Sequence, residues 1–216
     1  PLVDSSFDKY DNVALIDVDV FPVEGLEENL FDAHKGKDIG ICSEPNQPHY
    51  REIYNVAGIV SAKDKAWTKV LKNKWGIDYS YDEKKRPMVY NTGVMIFSKN
   101  GLKKAKERWP SFQQYVDVIR STGFPKFYYL YQDYASAFIH MDGFEFESMH
   151  NGWNAYMHKV GSKPKAKIGD SRTAETKFVH IMFRTADDWP EEALWDITNK
   201  PVDEWNIPVP KDFPNH

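Results

Sequence analysis

The stretch Val13-Ala14-Leu15-Ile16-Asp17-Val18-Asp19 governs how the rest of this sequence is interpreted. Four apolar residues followed by an acid are typical of a doubly buried strand whose carboxyl end reaches solvent. In an extended segment, side chains two residues apart point in the same direction. We therefore expect Asp17 and Asp19 to lie together just beyond the end of a buried strand.

Strand and helix patterns alternate along the rest of the chain. Apolar runs predict strands over 38–43, 88–97, 144–147 and 178–182. Apolar spacing of three and four predicts helices over 24–33, 63–74, 102–109, 112–119 and 130–139. The polar segment 159–177 predicts a mobile loop. This alternation indicates an α/β fold, a mixed sheet flanked by helices, and no composition shift divides residues 1–216 into more than a single domain.

Composition excludes several classes of protein. With 41% hydrophobic and 28% charged residues, the 216-residue chain has the usage of a globular protein rather than a disordered one. Its 28 basic and 32 acidic residues are too balanced for a dedicated nucleic-acid binder. A single cysteine, Cys42, cannot form an internal disulfide. No run approaches the ~20 apolar residues of a transmembrane segment, and no signal peptide is evident, so we expect a soluble, cytoplasmic protein of cellular or viral origin.

The two aspartates are candidate metal ligands. Paired carboxylates suit Mg²⁺ or Mn²⁺, whose other ligands are commonly phosphate oxygens of a substrate. His180, in the apolar strand 178–182, adds a possible nitrogen ligand at a strand end. A solvated acidic turn and a hydrogen-bonded core histidine are the structural alternatives.

Two further polar motifs interrupt apolar segments. Asn91-Thr92-Gly93 lies inside a strand pattern, which indicates either a β-bulge or a close approach of the backbone to a ligand. Gln132 and Asp133 stand at the start of a helix, where an acid also complements the helix dipole. Trp153 and Tyr156 predict either a surface that stacks on a sugar or core packing.

The order of these motifs resembles that of GT-A glycosyltransferases, especially the family 8 type, which includes glycogenin and bacterial lipopolysaccharide galactosyltransferases. The resemblance extends from about residue 8 to residue 190 and rests on motifs rather than on continuous identity. It implies that Mn²⁺ or Mg²⁺ is held on the diphosphate of a nucleotide sugar by Asp17, Asp19 and His180. It further implies a catalytic site at the reacting carbon formed by Gln132 and Asp133.

The same resemblance implies the substrates. The donor is a nucleotide diphosphate sugar, expected to be a UDP-sugar, and the acceptor is a hydroxyl of a glycan, with retention of configuration at the transferred sugar. The implied substrate-binding residues are Asn91, Thr92, Gly93, Trp153, Asn154, Arg184 and Trp189. Arg184 stands in for a phosphate-binding lysine of the family.

The sequence departs from the family at two points. Tyr131 replaces the first acid of an Asp-Gln-Asp segment, which affects the choice of donor sugar. Only sixteen residues precede Asp17, where the family has a nucleotide-binding segment. The sequence therefore predicts a GT-A-like domain that is incomplete at its N-terminus.

Two other classes of protein remain open. A haloacid-dehalogenase-like phosphatase also has an early strand that ends in Asp-x-Asp, with Asp17 as nucleophile, but Val20-Phe21 replaces its Gly-Thr. A non-catalytic remnant of the GT-A fold that binds nucleotide or glycan fits the short N-terminus. Turnover of a nucleotide sugar would separate the transferase from both.

Overall fold

The computed structural model describes residues 4–44, 59–83, 85–160, 167–182 and 191–205. The chain forms two compact units. The larger unit comprises Pro1–Leu15 and Phe31–Met149, and the smaller unit comprises Ile16–Leu30 and His150–His216.

The described residues form strands and helices in an order that mixes the two types. The strands are β1 (Asn12–Ile16), β2 (Val20–Pro22), β3 (Ile39–Ser43), β4 (Tyr90–Ser98), β5 (Phe146–Met149), β6 (Ala155–Val160), β7 (Lys167–Asp170) and β8 (Phe178–Met182). The helices are α1 (Ile59–Trp75), α2 (Lys99–Arg108), α3 (Phe112–Ser121), α4 (Tyr131–Phe138) and α5 (Glu191–Asn199). The predicted mixed α/β architecture is confirmed; its GT-A organisation stays a prediction.

The larger unit is built on a four-stranded sheet in the order β1-β4-β3-β5. Strand β3 pairs antiparallel with β4 and parallel with β5, so the sheet is mixed. Helix α4 packs on β4, where the Ser136 hydroxyl bonds both the N–H and the carbonyl of Tyr90. These bonds place the second half of α4 beside the start of β4.

Aromatic side chains make much of the core of this unit. Trp67 of α1 is 1% exposed and donates its indole N–H to the Tyr115 hydroxyl at 3.1 Å. Tyr115 in turn donates to the backbone carbonyl of Tyr128 at 2.6 Å. Buried aromatic groups of this kind need partners for their polar ends, and these two bonds supply them. The high aromatic content thus serves packing here.

Helices α2 and α3 begin where serine side chains cap them. The Ser98 hydroxyl accepts from the backbone N–H of Gly101, and Ser111 forms a reciprocal capping box with Gln114. Such caps satisfy N–H groups that have no partner within the helix.

The smaller unit has a second four-stranded sheet, in the order β2-β8-β6-β7. Strand β8 lies between β2, to which it is antiparallel, and β6, to which it is parallel. Its apolar side chains Val179 and Ile181 pack with Ala193 and Ile197 of α5. The centre of β8 is therefore a buried position with a paired strand on each side.

Three predicted elements differ in the structure. The helix predicted over 24–33 is wrong: Gly25 has a φ of +72°, and the only helical turn there is the 3-10 turn Leu30–His34. The predicted strand at 144–147 begins two residues later, at Phe146. The loop predicted over 159–177 is wrong at 159–160 and 167–170, where Val160 pairs with Lys167 and backbone hydrogen bonds form a ladder despite the polar composition. Residues 161–166 lie outside the described part of the chain.

Strand β1 is also less buried than the apolar run predicted. Val13 is 7% exposed, but Ile16 at the other end is 44% exposed. The run is thus a partly exposed edge strand of its sheet. Among the described residues, no helix is both long and apolar enough to cross a bilayer.

His140 of the larger unit sits in an aromatic environment. Its ring centroid lies 4.7 Å from that of Tyr79 and 5.1 Å from that of Phe146. Its Nδ1 bonds the Ser80 hydroxyl at 3.3 Å, while its buried Nε2 has no hydrogen-bond partner among the described residues. Burial lowers the pKa of His140 from 6.5 to about 4 because this environment disfavours the charged ring.

His140 therefore predicts a specific pH dependence of stability. The unfolded chain takes up the proton near pH 6.5 and the folded chain near pH 4, so stability present above pH 6.5 is lost as the pH falls between these values. From pH 7 to pH 5 this loss should be about 2 kcal/mol. Urea unfolding at both pH values should show a smaller loss for His140→Phe, and an equal loss would contradict the prediction.

Candidate functional site

Asp17 and Asp19 lie in a tight turn between β1 and β2. The backbone N–H of Val20 donates to the carbonyl of Asp17 at 3.1 Å, which closes the turn. The carbonyl of Asp19 accepts from the N–H of Ile181 at 2.8 Å and so ties the turn to β8. We expected an extended segment to align the two carboxylates; the structure uses a turn instead. Val18, between them, is 98% exposed.

The turn brings both carboxylates next to His180. One ligand atom each from Asp17, Asp19 and His180 lies within 4.8 Å of the other two. The Nε2 atom of His180 is 3.3 Å from Oδ1 of Asp19. His180 stands at the centre of β8, paired with Val20 on one side and Tyr156 on the other, rather than at a strand end as predicted. The three predicted metal ligands are therefore close together.

Asn154 fixes the ring of His180 from the other side. Its Oδ1 lies 3.1 Å from His180 Nδ1, so Nδ1 carries the proton of this hydrogen bond. In the neutral ring, Nε2 then has a lone pair that faces the Asp19 carboxylate. A lone pair and a carboxylate oxygen 3.3 Å apart repel each other unless a proton or a cation lies between them.

The electrostatics of the two aspartates differ. The neighbouring His180 ring holds the pKa of Asp19 below its usual value. Loss of surrounding water raises the pKa of Asp17, and the nearby charge of Asp19 raises it further, whereas His180 acts in the opposite direction. A cation among these groups would offset the repulsion between the two carboxylates. The residue types and their spacing fit a divalent metal ion held by two oxygens and one nitrogen.

A second polar cluster lies in the larger unit. The Glu44 carboxylate, in a side chain only 4% exposed, follows directly after β3. Its Oε2 accepts from Asn91 Nδ2 at 3.2 Å and from Gln132 Nε2 at 2.9 Å. Two residues from separate predicted motifs thus share one buried acceptor.

Asn91, Thr92 and Gly93 form an irregular part of β4. The pairing with β3 jumps from Ile41–Met95 to Cys42–Asn91, which leaves residues 92–94 without paired positions on β3. The Oδ1 of Asn91 accepts from the N–H of Gly93 at 2.8 Å and stabilises this bulge. The structure therefore has the bulge that was the structural alternative for this motif, and the substrate-binding role of Asn91, Thr92 and Gly93 stays a prediction. Asp133, at the first turn of α4, is 6% exposed.

The described aromatic residues that were predicted to stack on a sugar are buried. Trp153 is 6% exposed and packs on Phe178 with ring centroids 5.8 Å apart, and Tyr156 is 4% exposed. The interpretation as a stacking surface is therefore wrong, since both aromatic rings belong to the core. Asn154 contacts His180 as described, while Arg184 and Trp189 lie outside the described residues.

Sequence reasoning missed Glu44. Its signal was available, since an acid that directly follows the apolar strand 39–43 repeats the pattern that singled out Asp17.

Comparison with protein-family models, with curated proteins and with solved structures finds no match to this chain. The case for a function therefore depends on the geometry of the two polar groups.

The candidate metal centre predicts a cation-dependent rise in thermal stability. At an Mn²⁺ concentration ten times its Kd, the ion should stabilise the protein by about 1.4 kcal/mol, or about 3 °C in Tm. Asp17→Asn and Asp19→Asn should abolish this rise because each removes a charged ligand. Thermal shift measurements with Mn²⁺ and with chelator test this expectation.

Glu27→Gln is the matched control, because it removes one exposed carboxylate from the same unit without touching the cluster. It should keep the full rise in Tm. His180→Ala should lose the rise and also lower the Tm of the metal-free protein, since the buried Asn154 loses its partner. A normal Mn²⁺-dependent rise in Tm in both aspartate variants would refute the assignment of a metal centre to this cluster.

Proposed function

We propose that this chain is a metal-dependent glycosyltransferase that moves a sugar from a nucleotide diphosphate sugar to a hydroxyl of a glycan. The observation that carries the proposal is the proximity of the Asp17 and Asp19 carboxylates to His180, which is distant from both in sequence. The resemblance assigns these residues to the metal that contacts the donor diphosphate. Their geometry supports that role because the three ligand atoms lie within 4.8 Å of one another, and a cation among them would offset the repulsion between the two carboxylates.

The proposed transfer breaks the bond between the anomeric carbon and the diphosphate oxygen and forms one to the acceptor oxygen. The transition state resembles an oxocarbenium ion, and negative charge accumulates on the leaving diphosphate. A divalent ion bound by the three ligands would stabilise that charge. The proton of the acceptor hydroxyl passes to the departing phosphate oxygen in a retaining transfer. Gln132 and Asp133 are proposed to orient the sugar or to stabilise its developing positive charge.

The ligand set favours one class of cation. Ca²⁺ prefers six to eight oxygen ligands, whereas an imidazole nitrogen suits Mn²⁺ and other transition metals. We propose Mn²⁺ as the ion and accept Mg²⁺ as the alternative with the same role. The hydrogen bond from His180 Nδ1 to Asn154 supports a metal role for Nε2, because such a bond orients the ring and raises the basicity of the other nitrogen.

Nucleotide binding should therefore depend on the cation. Titration calorimetry with UDP should give a measurable Kd in the presence of Mn²⁺ and at least tenfold weaker binding with chelator or with Ca²⁺. Asp19→Asn should weaken the Mn²⁺-dependent binding tenfold or more, because it removes one ligand of the ion, while Glu27→Gln should bind UDP normally. Equal UDP affinity in Mn²⁺ and in chelator would refute the metal bridge.

Turnover should depend on Gln132 and Asp133 more than UDP affinity does. Gln132→Ala and Asp133→Asn should lower kcat for release of UDP from UDP-glucose or UDP-galactose at least tenfold. Both variants should bind UDP with Mn²⁺ as the wild type does, since these residues are assigned to the sugar. Unchanged rates in both variants would show that Gln132 and Asp133 are ordinary residues at a helix start.

The alternative reaction, that of a haloacid-dehalogenase-like phosphatase, has a different signature. Detection of a covalent aspartyl-phosphate on Asp17 would support the phosphatase instead of the transferase.

A further inference from the structure

We infer that Glu44 is a positioning residue that fixes the side-chain amide of Gln132 in one orientation. The inference rests on the proposed function, in which Gln132 acts on the transferred sugar. Glu44 itself is assigned no contact with substrate. It acts through the hydrogen bond that its Oε2 accepts from Gln132 Nε2 at 2.9 Å.

Glu44 is itself held in place by a backbone hydrogen bond and by burial. Its backbone N–H donates to the carbonyl of Val89 at 2.8 Å, which anchors it beside the start of β4. Its side chain is 4% exposed, so the carboxylate cannot turn freely into solvent. A buried carboxylate requires hydrogen-bond donors, and the amides of Asn91 and Gln132 are two that it has.

The side-chain amide of Asn91 is also held in one orientation. Its Nδ2 donates to Glu44, and its Oδ1 accepts from the N–H of Gly93 in the bulge of β4. Both ends of this amide are therefore engaged within the protein, so its orientation is fixed. Asn91 links the bulge to Glu44 and makes the carboxylate part of a rigid group rather than an isolated acceptor.

The hydrogen bond to Glu44 determines how the side-chain amide of Gln132 is oriented. An amide whose N–H group donates to a fixed carboxylate must direct its carbonyl oxygen elsewhere, because the two groups lie on opposite sides of the same planar unit. Glu44 thereby fixes the side of the amide on which Gln132 presents its acceptor oxygen. A sugar hydroxyl or a developing positive charge is the chemistry that such an oxygen suits. Without Glu44, the amide would be free to turn over.

The position of the shared oxygen suggests the variants. Both bonds end on Oε2, so Glu44→Gln keeps an acceptor oxygen at the same chain length and should preserve the orientation of Gln132. Glu44→Met keeps the length and removes the acceptor. Comparing the two separates hydrogen-bond positioning from a need for the negative charge of the carboxylate.

The direct readout is the side-chain amide signal of Gln132 in ¹⁵N-labelled full-length protein, assigned by its absence in Gln132→Ala. In the wild type and in Glu44→Gln, its two N–H protons should resonate apart and exchange slowly with water. In Glu44→Met, they should move towards the positions of an exposed amide and exchange at least tenfold faster. An unchanged signal in Glu44→Met would overturn the inference.

The functional readout is a double-mutant cycle on UDP release from UDP-glucose or UDP-galactose with Mn²⁺. Glu44→Met should lower kcat at least tenfold, and Glu44→Met/Gln132→Ala should be no slower than Gln132→Ala alone. Additive losses would overturn the inference, because Glu44 would then act independently of Gln132. The affinity for UDP with Mn²⁺ should be the same in all of these variants.

The two proposals fail in distinguishable ways. If the wild type neither binds UDP with Mn²⁺ nor turns over a nucleotide sugar, the proposed function has failed, and the amide signal alone decides whether Glu44 orients Gln132. If Glu44→Met does not fold, Glu44→Gln decides. A tenfold loss of kcat or an exposed amide signal in Glu44→Gln would show that the charge, not the acceptor, is required, and would overturn the inference.

Discussion

The ring of His180, held between Asn154 on one nitrogen and Asp19 on the other, is the constraint around which the smaller unit is organised. Both contacts depend on the position of β8 between two strands. Asp19 directly precedes β2, which pairs with one edge of β8, and Asn154 directly precedes β6, which pairs with the other edge. The sheet order β2-β8-β6 satisfies both demands with backbone pairing alone. Apolar packing of α5 against Val179 and Ile181 then stabilises that order.

The larger unit contains a comparable arrangement with different chemistry. Glu44 collects two amide donors, from Asn91 and Gln132, where the smaller unit sets an imidazole beside two carboxylates. Buried polar groups of this type restrict side-chain orientation because each lost hydrogen bond is expensive in a medium of low dielectric constant. One group is suited to binding a cation and the other to fixing an amide. That division agrees with the roles proposed for them.

Much of the architecture was accessible from the sequence, and the parts that failed share a cause. Apolar periodicity predicted β3, β8 and α4 because burial decides those elements. The helix at 24–33 and the loop at 159–177 were wrong because tertiary contacts decided them: Val23 donates to the carbonyl of Lys177, and β7 pairs with β6. The local composition of a segment does not indicate which distant segment it will pair with.

The candidate metal centre was predicted by residue type and order, yet its geometry was not. The sequence indicated Asp17, Asp19 and His180, but it assigned the alignment of the carboxylates to an extended strand instead of a turn. The pKa values of the two aspartates shift in opposite directions in this turn: the neighbouring His180 lowers that of Asp19, whereas loss of hydration and the nearby charge of Asp19 raise that of Asp17. The imidazole therefore favours the charged form of one carboxylate more than that of the other. A divalent cation among the three groups would favour the charged forms of both, which is why the turn and β8 together form a candidate metal centre.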